Sequence, residues 1–155
     1  MSVTILAILV ISHVLGDVIF TSYRLAIRKR NVGLLPQGLY IGYHASVHAL
    51  LAGSLLFLFG GPWWQAALFI LVLHFLIDFI RCRVEIAMFG AGRLYVRRSE
   101  LFAWVSGKPV DRAKMNLRNL WPWLLIHLVD QGSHLASLIV VTLLLNPTGG
   151  MGGAS

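Results

Sequence analysis

Residues 63–80 read WWQAALFILVLHFLIDFI, and this stretch decides the fold class. Only Gln65, His74 and Asp78 interrupt its apolar run of eighteen residues. A helix of that length rises about 27 Å, close to the ~30 Å hydrocarbon thickness of a bilayer. A strand reading fails, because open sheets leave backbone groups unpaired in lipid and barrel strands alternate apolar with polar residues. Working outward, Gly60, Gly61 and Pro62 form a turn signal that joins this run to an equally apolar one, Leu39–Phe59. Those two runs are predicted to pack as an antiparallel hairpin. Two further runs, Val3–Phe20 and Trp121–Leu145, have similar character. The sequence therefore predicts an all-α integral membrane protein, a bundle of four transmembrane helices. It forms one domain over residues 1–145, with loops at 21–38 and 81–120 and a flexible Gly-rich tail at 146–155.

Composition leads to the same class. Of 155 residues, 57% are hydrophobic and 12% charged, with a mean hydropathy of +0.77, whereas a soluble domain has about a quarter of its residues charged. Apolar content excludes a disordered chain, and the single cysteine, Cys82, excludes a disulfide scaffold. A net charge of +7 would suggest nucleic acid in a soluble protein. In a bilayer it sets topology and attracts anionic headgroups, so no nucleic-acid partner is expected. Arg24, Arg28, Lys29 and Arg30 follow the first span, and the other nine basic residues lie between the third and fourth. The positive-inside rule then makes both loops cytoplasmic and both termini external. The first span lacks a basic leader and carries Asp17, so it is not read as a cleavable signal peptide.

All six histidines, His13, His44, His48, His74, His127 and His134, fall inside these spans, as do Asp17, Asp78 and Asp130. Ionisable groups at such depth are costly and mark function. They form four pairs, one per span: His13/Asp17, His44/His48, His74/Asp78 and Asp130/His134. Each pair is spaced i,i+4, which puts both side chains on one helix face. Scattering the twelve His and acidic residues over the chain gives about 0.85 such pairs by chance, so four is not accidental. With helix directions alternating, all four pairs fall in one slab in the inner half of the membrane, where eight side chains from four helices can converge.

Imidazoles and carboxylates without thiolates suit Zn²⁺, or alternatively Fe²⁺ or Mn²⁺. Eight groups exceed one tetrahedral shell. Either two ions bind, or one ion takes four or five donors while the rest serve as supporting carboxylates, base or proton relay. His127, one turn before Asp130, is a ninth candidate, and Gln131 and Ser133 are placed to orient substrate or water. For a single pair, a hydrogen-bonded tie between turns is the plainer reading, and His127 alone reads as an imidazole beside Trp121 and Trp123. A haem between two histidines would leave three aspartates unexplained.

The stretches SHVLGD (12–17), HASVH (44–48), HFLID (74–78) and DQGSH (130–134) resemble an uncharacterised bacterial and phage membrane family, the domain-of-unknown-function family 3307. The resemblance covers nearly the whole chain and all four motifs in order. By position, the family's polar signature falls on His13, Asp17, His44, His48, His74, Asp78, Asp130, Gln131 and His134. The family often has Gln four residues after the first Asp, where this chain has Thr21. The resemblance implies a multi-pass protein of the bacterial cytoplasmic membrane, but no activity.

The leading functional expectation is an intramembrane metal-dependent hydrolase acting on a lipid or lipid-linked substrate at the cytoplasmic leaflet. Metal-activated water would be the nucleophile, with Asp17 or Asp130 as general base. Arg97, Arg98, Arg112, Lys114 and Arg118 alternate with Leu101, Phe102, Trp104 and Val105 in a loop suited to anionic lipid headgroups. Retention of that loop on the cytoplasmic side explains its charge equally well. Rival readings are a transition-metal transporter and a structural metal that staples a small bundle. A homo-oligomer and a partner membrane protein are both compatible with the sequence.

Overall fold

A computed structural model of the chain describes residues 2–31, 33–90, 98–110 and 117–145, without the side chains of Arg98 and residues 117–119. The expected headgroup contacts at Arg97, Arg98, Arg112, Lys114 and Arg118, and the tail 146–155, lie outside the described residues or side chains. Among the described residues six helices run in the order α1 (Val3–Val18), α2 (Tyr23–Arg28), α3 (Leu34–Leu58), α4 (Trp63–Phe89), α5 (Arg98–Val105) and α6 (Leu117–Leu145). No strand occurs among the described residues. Two stretches, Leu34–Leu58 and Leu120–Leu145, are long and apolar enough to cross a membrane, and Val3–Val18 is a shorter apolar helix.

Boundaries differ from the expectation in two loops. Residues 21–38 hold α2 and the first turn of α3, and α4 continues nine residues past Ile80 to Phe89. A single Ser begins each of α1 and α2: Ser2 accepts from Ile5 N–H and Ser22 from Leu25 N–H. The turn between α3 and α4 is chemically specified. Gly60 takes φ +68°, where a side chain would be strained. Its N–H donates to the Phe57 carbonyl at 3.1 Å, and Gly61 N–H donates to Leu56 at 2.8 Å. This pair of bonds satisfies the free carbonyls at the end of α3.

The α3–α4 hairpin is the most extensive packing in the bundle, and α1 and α6 complete it. Each helix buries one narrow stripe. On α4 the stripe is Ala66, Ile70, His74, Asp78, Cys82 and Glu85, the i,i+4 and i,i+3 rows of one face. Its lower half is apolar and its upper half polar. The apolar halves of the helices meet in a layer of Ile8, Leu9, Ala52, Leu56, Ala66, Ile70, Leu138 and Val141. The polar halves meet one layer further on. Outward faces are the reverse of a soluble protein, with Val72, Leu76, Ile80, Leu128, Leu135 and Leu143 all exposed.

Candidate metal centre

All eight predicted donors converge. His44, His48, His74, Asp78, Asp130 and His134 are buried, with His13 and Asp17 partly so. They form three overlapping groups: Asp17, His44, His48 and His74; His13, His74 and His134; and Asp78, Asp130 and His134. Within each group one donor atom per residue lies within 4.8 Å of the others. The imidazoles crowd one another, with His48 stacked on His74 at a centroid distance of 3.9 Å and His74 beside His134 at 4.2 Å.

In the four-membered group the donor atoms lie within 4.8 Å of one another, and two of the separations are near those of a tetrahedral shell. Asp17 Oδ1 lies 3.4 Å from His44 Nε2 and 3.5 Å from His48 Nε2. Zinc with bonds of about 2.0–2.1 Å holds neighbouring tetrahedral donors about 3.3–3.4 Å apart. Buried polar atoms normally have partners. Here neither ring nitrogen of His48 has a hydrogen bond, and His74 Nε2 and His13 Nε2 have none either. Each neutral imidazole brings one lone pair beside its N–H, so these rings and carboxylates are a set that could hold a cation.

Local chemistry prepares these ligands. Thr21 Oγ1 donates its hydroxyl hydrogen to the Gly16 carbonyl at 3.1 Å and sits 3.3 Å from His44 Nδ1. In the tautomer with the proton on Nδ1, Thr21 accepts from Nδ1–H and the Nε2 lone pair of His44 is the one that faces Asp17 and could bind a cation. Gly16 makes room for His48: a Cβ there would lie 2.4–2.7 Å from the imidazole atoms.

A second, unforeseen layer covers the centre. Lys29 Nζ pairs with Asp78 Oδ2 at 2.6 Å, and Arg30 Nε pairs with Glu85 Oε2. Arg81 reaches Asp78 Oδ1 at 3.4 Å, Glu85 Oε1 at 3.4 Å and Asp130 Oδ1 at 3.3 Å. Three residues read as topology signals are thus ion-pair partners of the site. Burial opposes the charge on Arg81, but Asp78, Asp130 and Glu85 outweigh it and hold the guanidinium protonated more firmly than usual. Burial would likewise raise Glu85, but Arg30 and Arg81 hold its carboxyl below the ordinary value. Cys82 is buried and its thiol is pushed up, so it stays neutral.

The ninth candidate is not among the donors. His127 belongs to none of the three groups. It stacks on Trp123 at 4.2 Å, lies 3.9 Å from Glu85 Oε1, and leaves its side chain 32% exposed. Gln131 donates to Asp130 Oδ2 at 3.2 Å. Ser133 turns back to the Val129 carbonyl of its own helix.

A cavity of about 430 Å³ adjoins the centre, lined by His13, Asp17, Lys29, Arg81, Asp130 and Gln131 among others. Leu101 of α5 and Trp123 of α6 are also part of its wall. At the opposite side the centre abuts the apolar layer described above. No curated protein and no solved structure matches the chain. The family model described as "Protein of unknown function (DUF3307)" matches residues 5–150, and the chain belongs to that family.

Proposed function

We propose that this is a multi-pass protein of the bacterial cytoplasmic membrane that binds a divalent transition metal and hydrolyses a lipid or lipid-linked substrate at the inner leaflet. Zinc is the metal the donors fit best, ahead of iron or manganese, because the donors are imidazole and carboxylate at tetrahedral spacing. One observation carries the reading: His48, fully buried and with Asp17 Oδ1 3.5 Å from its Nε2 but no hydrogen bond at either ring nitrogen, stands in a group of four donors drawn from three helices.

Four spans are supported by the inverted surface. Exposed Val72, Leu76 and Ile80 on α4, with Leu128 and Leu135 on α6, surround a charged interior. Water penalises so continuous an apolar face, whereas lipid does not. Phe102 and Val105 on α5 are exposed apolar residues beside the cavity wall, which suits a helix lying at the headgroup level.

Hydrolysis is favoured over carriage by the one-sided build. Lys29, Arg81 and Trp123 line the cavity on one side of the donors, and the apolar layer around Leu9, Leu56 and Val141 lies on the other. A carrier needs access from both. A metal that only staples the bundle needs no cavity at all. When bound, the metal would activate water at neutral pH. Of the two carboxylates considered as general base, Asp17 lies between His44 and His48 and serves as a donor, which leaves Asp130, on the cavity wall, for the proton.

The test is metal content of the detergent-purified chain, followed by hydrolysis of a panel of phosphoester, ester and amide lipids and by zinc flux in proteoliposomes. Bound metal and hydrolysis without flux are expected, with metal lost in His48→Ala and His74→Ala. Flux without hydrolysis would establish a carrier. Full metal content in both variants would remove those residues from the centre.

A further inference from the structure

We infer that the centre holds one metal ion, at Asp17, His44, His48 and His74, and that Lys29 and Arg81 stand where a second ion would otherwise sit. This rests on the metal-binding reading above and says which of its donors bind metal. Seven of the eight donors fall at two ends, and His13, grouped with His74 and His134, lies between them. At one end, four atoms from α1, α3 and α4 surround a common point. At the other, the third group offers Asp78 Oδ1 and Asp130 Oδ1 around His134 Nε2, at 3.9 and 3.6 Å from it.

Those same two oxygens face Arg81, whose Nη2 hydrogen-bonds Asp78 Oδ1 at 3.4 Å and whose Nε lies 3.3 Å from Asp130 Oδ1 as an ion pair without a hydrogen bond. The remaining oxygen of Asp78 takes Lys29 Nζ at 2.6 Å, and that of Asp130 takes Gln131. A divalent ion at this end would compete with a guanidinium for the same lone pairs and lie against its charge. Arg81 cannot yield by deprotonation.

The charge balance agrees. Among the described residues, and counting only carboxylates and Lys and Arg side chains, Asp17, Asp78, Glu85 and Asp130 stand against Lys29, Arg30 and Arg81. One negative charge is left over. A single divalent ion turns that into one positive charge, whereas two ions would leave three in a medium that screens poorly. The protein supplies the second cation from its own side chains. Asp78 is consequently a positioning carboxylate toward the metal, and neither it nor Asp130, the proposed base, is a ligand of it.

The test is zinc stoichiometry of the full chain in detergent, measured by elemental analysis against protein concentration after equilibration with zinc alone. About one zinc per chain is expected for the native sequence, and about one in Asp130→Asn. Arg81→Gln, which vacates the second position, is expected to bind about two. Size-exclusion chromatography and circular dichroism identify any variant that does not fold, and Asp130→Asn then carries the test. Two ions in the native chain, or loss of zinc in Asp130→Asn, would overturn the inference while leaving the metal centre standing. A ratio that stays at one in folded Arg81→Gln would overturn the role given to Arg81. No zinc in the native chain would sink the metal-binding reading itself.

Discussion

Gly16→Ala separates a metal centre from a polar helix contact. A Cβ at this position would lie 2.4 Å from His48 Cε1 and 2.7 Å from each ring nitrogen. Carbon contacts settle at about 3.5–4.0 Å, so the imidazole must retreat by about 1 Å. It has no slack, since His48 is fully buried and stacked on His74 at 3.9 Å. Metal bonds tolerate roughly 0.2 Å, so a retreat of that size removes the ligand. Losing a group that merely orients a ligand lowers affinity about 10–100-fold, and losing the ligand should reach the upper end of that range or beyond. The assay is a zinc competition titration of the detergent-solubilised variant against a chelator of known affinity. Helix propensity works in the opposite direction, favouring Ala over Gly by about 1 kcal/mol. A metal-free bundle would therefore register only crowding set against a better helix. Native zinc affinity in Gly16→Ala would refute the placement of His48 in the centre.

Three other outcomes are expected. Thr21→Val removes the acceptor for His44 Nδ1–H and should weaken zinc about 10–100-fold with the fold retained, as read by the same titration and by circular dichroism. Unchanged affinity would mean that Thr21 does not set the tautomer. His127→Ala should keep full zinc content, because that ring sits with Trp123 and Glu85 outside the donor groups. Loss of zinc there would return His127 to the ligand set. Glu85 lies beyond the proposed third span, and its folded carboxyl titrates below the ordinary 4.5 because Arg30 and Arg81 outweigh burial. Its contribution to stability is then complete above pH 4.5 and fades as pH falls through the lower folded value. Thermal melts from pH 7 to 3 should show the native chain losing its advantage over Glu85→Gln in that acid window, and parallel curves would remove the linkage.

The helical class and the donors were legible because both follow from spacing. An i,i+4 pair must share a helix face wherever the helix goes, so His74/Asp78 and Asp130/His134 needed no tertiary information. The same rule, carried further along α4, would have reached Glu85, seven residues after Asp78 on the buried stripe, and Arg81, three residues after Asp78 at its edge. They were missed because a charge after an apolar run reads first as a topology signal, and the helix was expected to stop at Ile80. Lys29 and Arg30 were beyond reach for a different reason. Their pairing depends on how residues 21–33 fold back between α1 and α3, and no periodicity encodes that path. Thr21 was visible only as a departure from the family's Gln, and its bond to His44 comes from the turn after α1. His127 shows the limit of face arguments. It shares a face with Asp130 but stands about one turn, or ~5 Å, further along the axis, which suffices to place it beside Glu85 instead.

The apolar layer around Leu9, Leu56 and Val141 has a kinetic consequence. If the proposed hydrolysis takes place in the cavity lined by Trp123 and Lys29, that layer leaves no through-path, and product would leave on the side by which substrate came. A spent molecule lingering there obstructs the next arrival, so accumulated product would act as a competitor of fresh substrate. Traffic, as much as bond breaking, would then set the pace of such a centre.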